Sequence, residues 1–118
     1  VMYIAGATVL GHHPDTNELI KAIRSLDTLV VHEPWWTPMA KMADIVLPST
    51  TPLERDDISY GGSYSQDYVY AMRKVVEPLF EARNDYDVFA QMAKMVGEKE
   101  HRKFTSSKSK EEIIRSFY

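Results

Sequence analysis

Three polar clusters each follow a short apolar run. They are Gly6-Ala7-Thr8 with His12-His13 beyond, then His32-Glu33, then Ser49-Thr50-Thr51 with Arg55 close behind. Hydroxyls, imidazoles, a carboxylate and a guanidinium are the groups that hydrogen-bond sugars, bases and phosphates. The same residues admit other chemistry. His12, His13 and Glu33 could serve a metal-dependent hydrolase, but adjacent histidines point apart and no third ligand has a set spacing. Hydrogen-bonding or plain loop histidines are the more ordinary reading. Gly6 and Gly11 match neither GxGxxG nor a P-loop, and stand as turn glycines. Glu81 and Asp85 could pair for acid–base work, though nothing fixes their separation. Asp85 is first of all a helix cap. The cluster Glu54-Arg55-Asp56-Asp57 has the composition of a solvated, salt-bridged turn, and Trp35-Trp36 that of a packing anchor. No Ser-His-Asp order or nucleophile elbow occurs. With 0 Cys in the chain, thiol catalysis, iron–sulfur ligation and Cys-type zinc sites are excluded within it.

The elements that must position these groups alternate. Val1–Ala5 is an apolar run of strand formers, ended by Gly6, of the kind buried on both faces. Residues 7–14 read as a loop. Asp15 is an N-cap with Glu18 completing a capping box. Leu19, Ile20, Ile23 and Leu26 then follow at helical spacing to about Ser25. Thr28–Val31 is a second buried strand, stopped by His32-Glu33-Pro34. Strand, helix and strand within about thirty residues form a βαβ unit. Thr37 caps a short helix with Pro38 at its first position, and Asp44–Leu47 is a third strand stopped by Pro48.

The period predicts an α/β fold with a three-layer, mainly parallel sheet. In such a sheet ligands bind outside the carboxyl ends of the strands. Thr8, His12, His32, Glu33 and Arg55 should therefore meet at one edge, with a helix N-terminus aimed at it. The second half is less regular. A Gly61-Gly62 turn and partial alternation over 68–76 suggest a strand. Asp85 caps a helix with apolar positions Tyr86, Phe89, Met92, Ala93 and Val96, stopped by Gly97. Residues 99–110 read as a polar loop. Ser109 with Glu112 opens a last helix running to Tyr118.

At 118 residues the chain is one domain or part of one. Its 14 Lys and Arg against 17 Asp and Glu give a net charge of −3. With the basic residues scattered, that balance argues against a duplex nucleic-acid partner. No apolar run approaches the ~20 residues of a membrane span, so membrane insertion is not expected.

Longer strings are more specific than their parts. They run from His12-His13-Pro14-Asp15-Thr16-Asn17 through Val30-Val31-His32-Glu33-Pro34-Trp35-Trp36-Thr37 to Ala43-Asp44-Ile45-Val46-Leu47-Pro48-Ser49-Thr50-Thr51. Leu53-Glu54-Arg55-Asp56-Asp57-Ile58, Tyr64-Ser65-Gln66 and Glu81-Ala82-Arg83-Asn84-Asp85-Tyr86-Asp87 follow in order. Together they resemble the molybdopterin oxidoreductases, in the branch of dimethyl sulfoxide, trimethylamine N-oxide and biotin sulfoxide reductases. The resemblance implies an internal fragment. Residues 1–118 would be a single partial domain, part of the Rossmann-like α/β domain that holds one of two molybdopterin guanine dinucleotides around a molybdenum. The parent would reduce S-oxides or N-oxides by oxygen-atom transfer in anaerobic respiration. It would be periplasmic rather than cytoplasmic, with a cytochrome c or another electron donor as partner beside the remaining domains.

The same resemblance implies cofactor contacts at Thr8, His12, His32, Glu33, Arg55 and Asp85. Asp85 rests on it alone. The branch's metal-ligating serine has no counterpart here, so no catalytic or metal-ligating residue is assigned. The family's Gly-Gly-Asn-Pro-Phe is Gly6-Ala7-Thr8-Val9-Leu10 in this chain, so Thr8 keeps a hydroxyl but lacks the amide's second polar atom. The alternative is a stand-alone nucleotide-binding module without redox activity.

Overall fold

A computed structural model describes residues 1–61, 64–65 and 67–117. Gly62 of the expected turn, Gln66 of the Tyr64-Ser65-Gln66 string and Tyr118 at the expected end of the last helix lie outside the described residues. The chain divides into two compact units, Val1–Ser49 and Thr50–Tyr118.

The first unit is α/β. Strand β1 (Met2–Ala5) leads through a short helix α1 (Val9–His12) and helix α2 (Thr16–Arg24) to β2 (Leu29–Glu33). A 3-10 turn (Ala40–Met42) then precedes β3 (Ile45–Pro48). The three strands form a parallel sheet in the order β1-β2-β3, with Ala5 opposite His32 and Glu33 opposite Pro48.

Gly6 takes the left-handed conformation at φ 70 that lets the chain turn off β1. Asp15 caps α2 as its spacing predicts, accepting from the Glu18 amide at 3.1 Å. The Glu18 carboxylate itself pairs with Lys21 Nζ at 2.6 Å. Thr37 Oγ1 accepts from the Ala40 amide at 3.1 Å, which starts the 3-10 turn. Asp44 Oδ2 accepts from the Leu29 amide and ties the entry of β3 to that of β2.

Three expectations for this unit change. Residues 7–14 include the helix α1, because Val9 and Leu10 have a core to pack against. His32 and Glu33 do not stop β2 but extend it, since β3 continues the ladder alongside them. Nor are the strands uniformly buried on both faces. One face carries Ile4, Leu29, Val31 and Val46 against Ile23 of α2 and against Met39 and Ala40. Tyr3 and Ile45, of the opposite parity, stay exposed. The structure thus supports α/β with a three-stranded parallel sheet.

The second unit contains elements that the irregular pattern did not announce. Strand β4 (Asp57–Gly61) pairs antiparallel with β5 (Tyr68–Met72). Gly61 sits under the Tyr68 ring, where any Cβ would collide with it. Helix α3 (Asp85–Val96) is capped by Asn84 and not by Asp85. The Asn84 side chain accepts from the Tyr86 amide at 2.9 Å, and Asp85 is the first helical residue. Residues 99–110 are mostly helical. Helix α4 (Glu98–Thr105) follows Gly97, and its Arg102–Glu98 pair spans one turn. A capping box between Ser109 and Glu112 opens α5 (Lys110–Arg115), as the spacing predicts.

Candidate functional site

Four of the six candidate residues, Thr8, His12, His32 and Glu33, lie in the first unit. His32 ends β2 with only 4% of its surface exposed. The Tyr3 hydroxyl lies 2.6 Å from His32 Nε2, and the two rings are tilted at 58° with centroids 5.3 Å apart. The register explains the contact. Ala5 stands opposite His32, so Tyr3, two residues earlier, shares its face. Tyr3 was not singled out by type or spacing. Its signal is this parity, which needs the strand pairing to be known.

Glu33 has the opposite parity. Its carboxylate accepts from Thr37 Oγ1 at 3.0 Å, while its backbone carbonyl accepts from the Ser49 amide at 3.3 Å. Thr37 therefore both starts a turn and holds a candidate site carboxylate, a second role that its place in the sequence did not suggest. His32 and Glu33 flank the carboxyl end of the central strand from its two sides. Thr8 precedes α1 and its side chain makes no capping bond, while His12 ends that helix; both are exposed.

Arg55 and Asp85 belong to the second unit. Arg55 Nε donates to Asp57 Oδ2 at 2.7 Å, and Nη1 donates to the Thr50 carbonyl. Asp85, half-buried, begins α3. An open cleft of about 480 Å³ in this unit is lined by Arg55, Lys74, Arg83 and Lys110 among others. Acids hold three of these cations: Arg55 meets Asp57 at 2.7 Å, Lys74 meets Glu77 at 2.8 Å, and Lys110 meets Asp87 at 2.8 Å.

Two further groups here were not foreseen. Glu54 is buried, with its carboxylate accepting from the Thr51 amide and hydroxyl at 2.7 and 2.8 Å and from the Leu79 amide at 3.0 Å. The Thr51 amide above all, then the Leu79 amide and the Thr51 hydroxyl, hold this carboxyl below its ordinary pKa. The expectation of a solvated, salt-bridged turn at 54–57 therefore fails for Glu54; Arg55 and Asp57 are salt-bridged as expected but half-buried, with Asp57 opening β4. The Tyr86 hydroxyl is buried with no hydrogen-bond partner. Burial, reinforced by the Asp87 carboxylate, raises its pKa.

Among the described residues no group of three or more His, Asp or Glu side chains could hold a metal ion. No helix among them is long and apolar enough to cross a membrane.

In open parallel α/β sheets ligands bind outside the carboxyl ends of the strands, which is where His32 and Glu33 stand. The comparison with known proteins gives the class. The molybdopterin oxidoreductase family matches residues 1–95, and the chain belongs to that family. Its relatives narrow the branch. The chain is 48% identical over 117 residues to a trimethylamine-N-oxide reductase of Haemophilus influenzae, covering 99% of this chain and 14% of that protein. It is 47% identical over 116 residues to a dimethyl sulfoxide/trimethylamine N-oxide reductase of Rhodobacter capsulatus, covering 98% of this chain and 14% of that protein. A trimethylamine-N-oxide reductase of Escherichia coli is 38% identical over 96 residues, 81% of this chain and 11% of its own length. The chain therefore spans about a seventh of the length of the first two of these relatives.

Proposed function

We propose that this chain is an internal piece of a molybdenum-dependent S-oxide or N-oxide reductase. In this reading the carboxyl edge of its parallel sheet binds the guanosine end of a molybdopterin guanine dinucleotide. The observation that carries the reading is the end of β2, where His32 and Glu33 stand on either side of the central strand of a parallel sheet. The relatives' names supply the reaction class. The order β1-β2-β3 is that of one half of a Rossmann-like sheet. The remaining strands, and the layer over the Tyr3 face, would come from the rest of the parent, of which residues 1–118 form one partial domain.

The donor set suits such a ligand. Glu33, steadied by Thr37, accepts N–H or O–H donors of guanine or ribose. His32, held by Tyr3, offers a ring fixed in place. Thr8 and His12 add a hydroxyl and an imidazole in the segment after β1. Arg55 has five N–H donors, so its bonds to Asp57 and Thr50 leave capacity for a phosphate oxygen. Asp85, which like Arg55 lies in the second unit, is assigned to the cofactor by the family resemblance alone. The metal of the bound cofactor supplies the redox chemistry, while these residues bind and orient. A periplasmic location and a cytochrome c or similar electron donor belong to the same reading.

The test is Glu33→Ala in the full-length parent enzyme. Loss of a hydrogen bond to a charged group costs ~1.5–3 kcal/mol, so molybdenum content per polypeptide should fall. Wild-type loading would overturn the assignment of Glu33. Calorimetric titration of residues 1–118 with GDP, with ADP as control, addresses the stand-alone alternative. Guanosine-selective binding lost in Glu33→Ala would place the whole site within this chain. Absence of binding would remove that alternative.

A further inference from the structure

The second unit exposes an apolar loop whose backbone is nevertheless tied down. Phe80 is 100% exposed and Leu79 65%, with Val75 and Val76 also exposed beside them. An unconstrained loop would collapse such side chains inward or be polar. Here the Val75 and Val76 amides both donate to the Leu53 carbonyl, at 2.8 and 3.1 Å, and the Lys74 amide donates to Asp56 Oδ1 at 2.9 Å. The Leu79 amide donates to the buried Glu54 carboxylate at 3.0 Å, and the Ala82 amide closes back on the Leu79 carbonyl at 3.1 Å. Phe80 is thereby held at φ 53, a left-handed conformation that aromatic residues rarely adopt. The carboxylate within the segment, Glu77, pairs with Lys74 Nζ at 2.8 Å, and Glu81 just beyond it is exposed.

Among the described residues the unit has no fully buried hydrophobic side chain; every such side chain lies in Val1–Ser49. On α3, Met92 and Val96 are exposed.

We infer that residues 75–80 form a preset docking element, with Phe80 as its anchor, that inserts into an apolar surface on the part of the same parent polypeptide outside residues 1–118. The inference rests on the chain being a piece of a longer enzyme. Relatives of which it spans 14% supply most of their surface in cis, at high effective concentration. Held in cis at that effective concentration, a covalently linked apolar surface is the favoured occupant over a second copy.

The experiment replaces Phe80 with the photoreactive p-benzoylphenylalanine in the full-length parent enzyme. Irradiation, digestion and mass spectrometry then identify the attached peptide. The expected product is an intrachain cross-link from position 80 to a peptide outside residues 1–118, with no such product from the same probe at exposed Lys99. Attachment to a second copy, to another protein or only within residues 1–118, an equal product at Lys99, or no product would each overturn the inference. As a second measurement, Phe80→Ser should speed amide exchange across residues 75–83 at least tenfold in the parent, and Phe80→Leu should restore most of the protection. Unchanged exchange in Phe80→Ser would also overturn it. Neither readout depends on cofactor loading. Normal molybdenum in Glu33→Ala with the cross-link present would remove the cofactor reading alone; lowered molybdenum without the cross-link would remove this inference alone.

Discussion

The two units bury different things. In Val1–Ser49 the buried set includes Ile4, Ile23, Leu29, Val31, Met39 and Ala40, gathered on one face of a parallel sheet. Among the described residues of Thr50–Tyr118 it is Thr50, Glu54 and Thr105, together with Gly61. The first unit is organised by hydrophobic burial, which is non-directional and set by area. The second is organised by hydrogen bonds to one carboxylate, by helix caps and by a two-stranded ribbon, an arrangement that is marginal by itself in water. The difference shows how a piece of a molybdopterin oxidoreductase can contain both a region with an apolar core and a region that presents its apolar residues outward.

The largest expected effect tests the core. Leu29→Ala removes a side chain with 2% exposure and should cost ~2–5 kcal/mol. Met95→Ala, on α3 at 81% exposure, should change stability by less than ~0.5 kcal/mol. Amide protection across β1–β3 and across α3 measures the two. Equal losses would erase the contrast between the units.

A second effect should appear only in the Thr50–Tyr118 unit. Glu54 has its carboxyl pKa lowered in the fold by the Thr51 and Leu79 donors. A lowered folded pKa means that the carboxylate's contribution is complete above the ordinary value of about 4.3. It is lost as pH falls through the lower folded value, where protonation removes the acceptor. Protection of the Leu79 amide, corrected for its intrinsic exchange rate, should therefore collapse on acidification below the ordinary carboxylate range. In Glu54→Gln it should be weak already at neutral pH. A Leu79 amide indifferent to both changes would mean that Glu54 does not organise the loop.

The smallest effect has the opposite sign. Tyr86→Phe removes a buried hydroxyl that has no partner and keeps the ring against Phe104, 5.3 Å away. The variant should match or exceed the wild type by up to about 1 kcal/mol. A clear loss would show that the hydroxyl has a partner in the assembled enzyme, and would sharpen the view that this unit is completed by other parts of the parent.

What could be read from the sequence follows the same division. Val1–Ala5, Thr28–Val31 and Asp44–Leu47 are dense in β-branched and apolar residues, and Asp15 and Ser109 each carry a Glu three positions later. Local propensity and tertiary packing agree at these places, so composition and spacing suffice for the strands, the helix starts and the polar strand ends with His32 and Glu33. β4 and α4 were hidden because their residues are mixed in polarity, and only pairing with β5 or a place after Gly97 decides their state. Asn84 displaced Asp85 as the cap because either side chain can cap, and the backbone geometry chooses between neighbours.

The family is carried by local strings, which is why the sequence alone indicated it. The Tyr3–His32 contact, the Thr37 hydroxyl on Glu33, the three donors on Glu54 and the outward loop at Phe80 are set by strand register and chain reversal. Such contacts join residues that only the folded backbone brings within hydrogen-bonding distance, and no one-dimensional pattern encodes that distance.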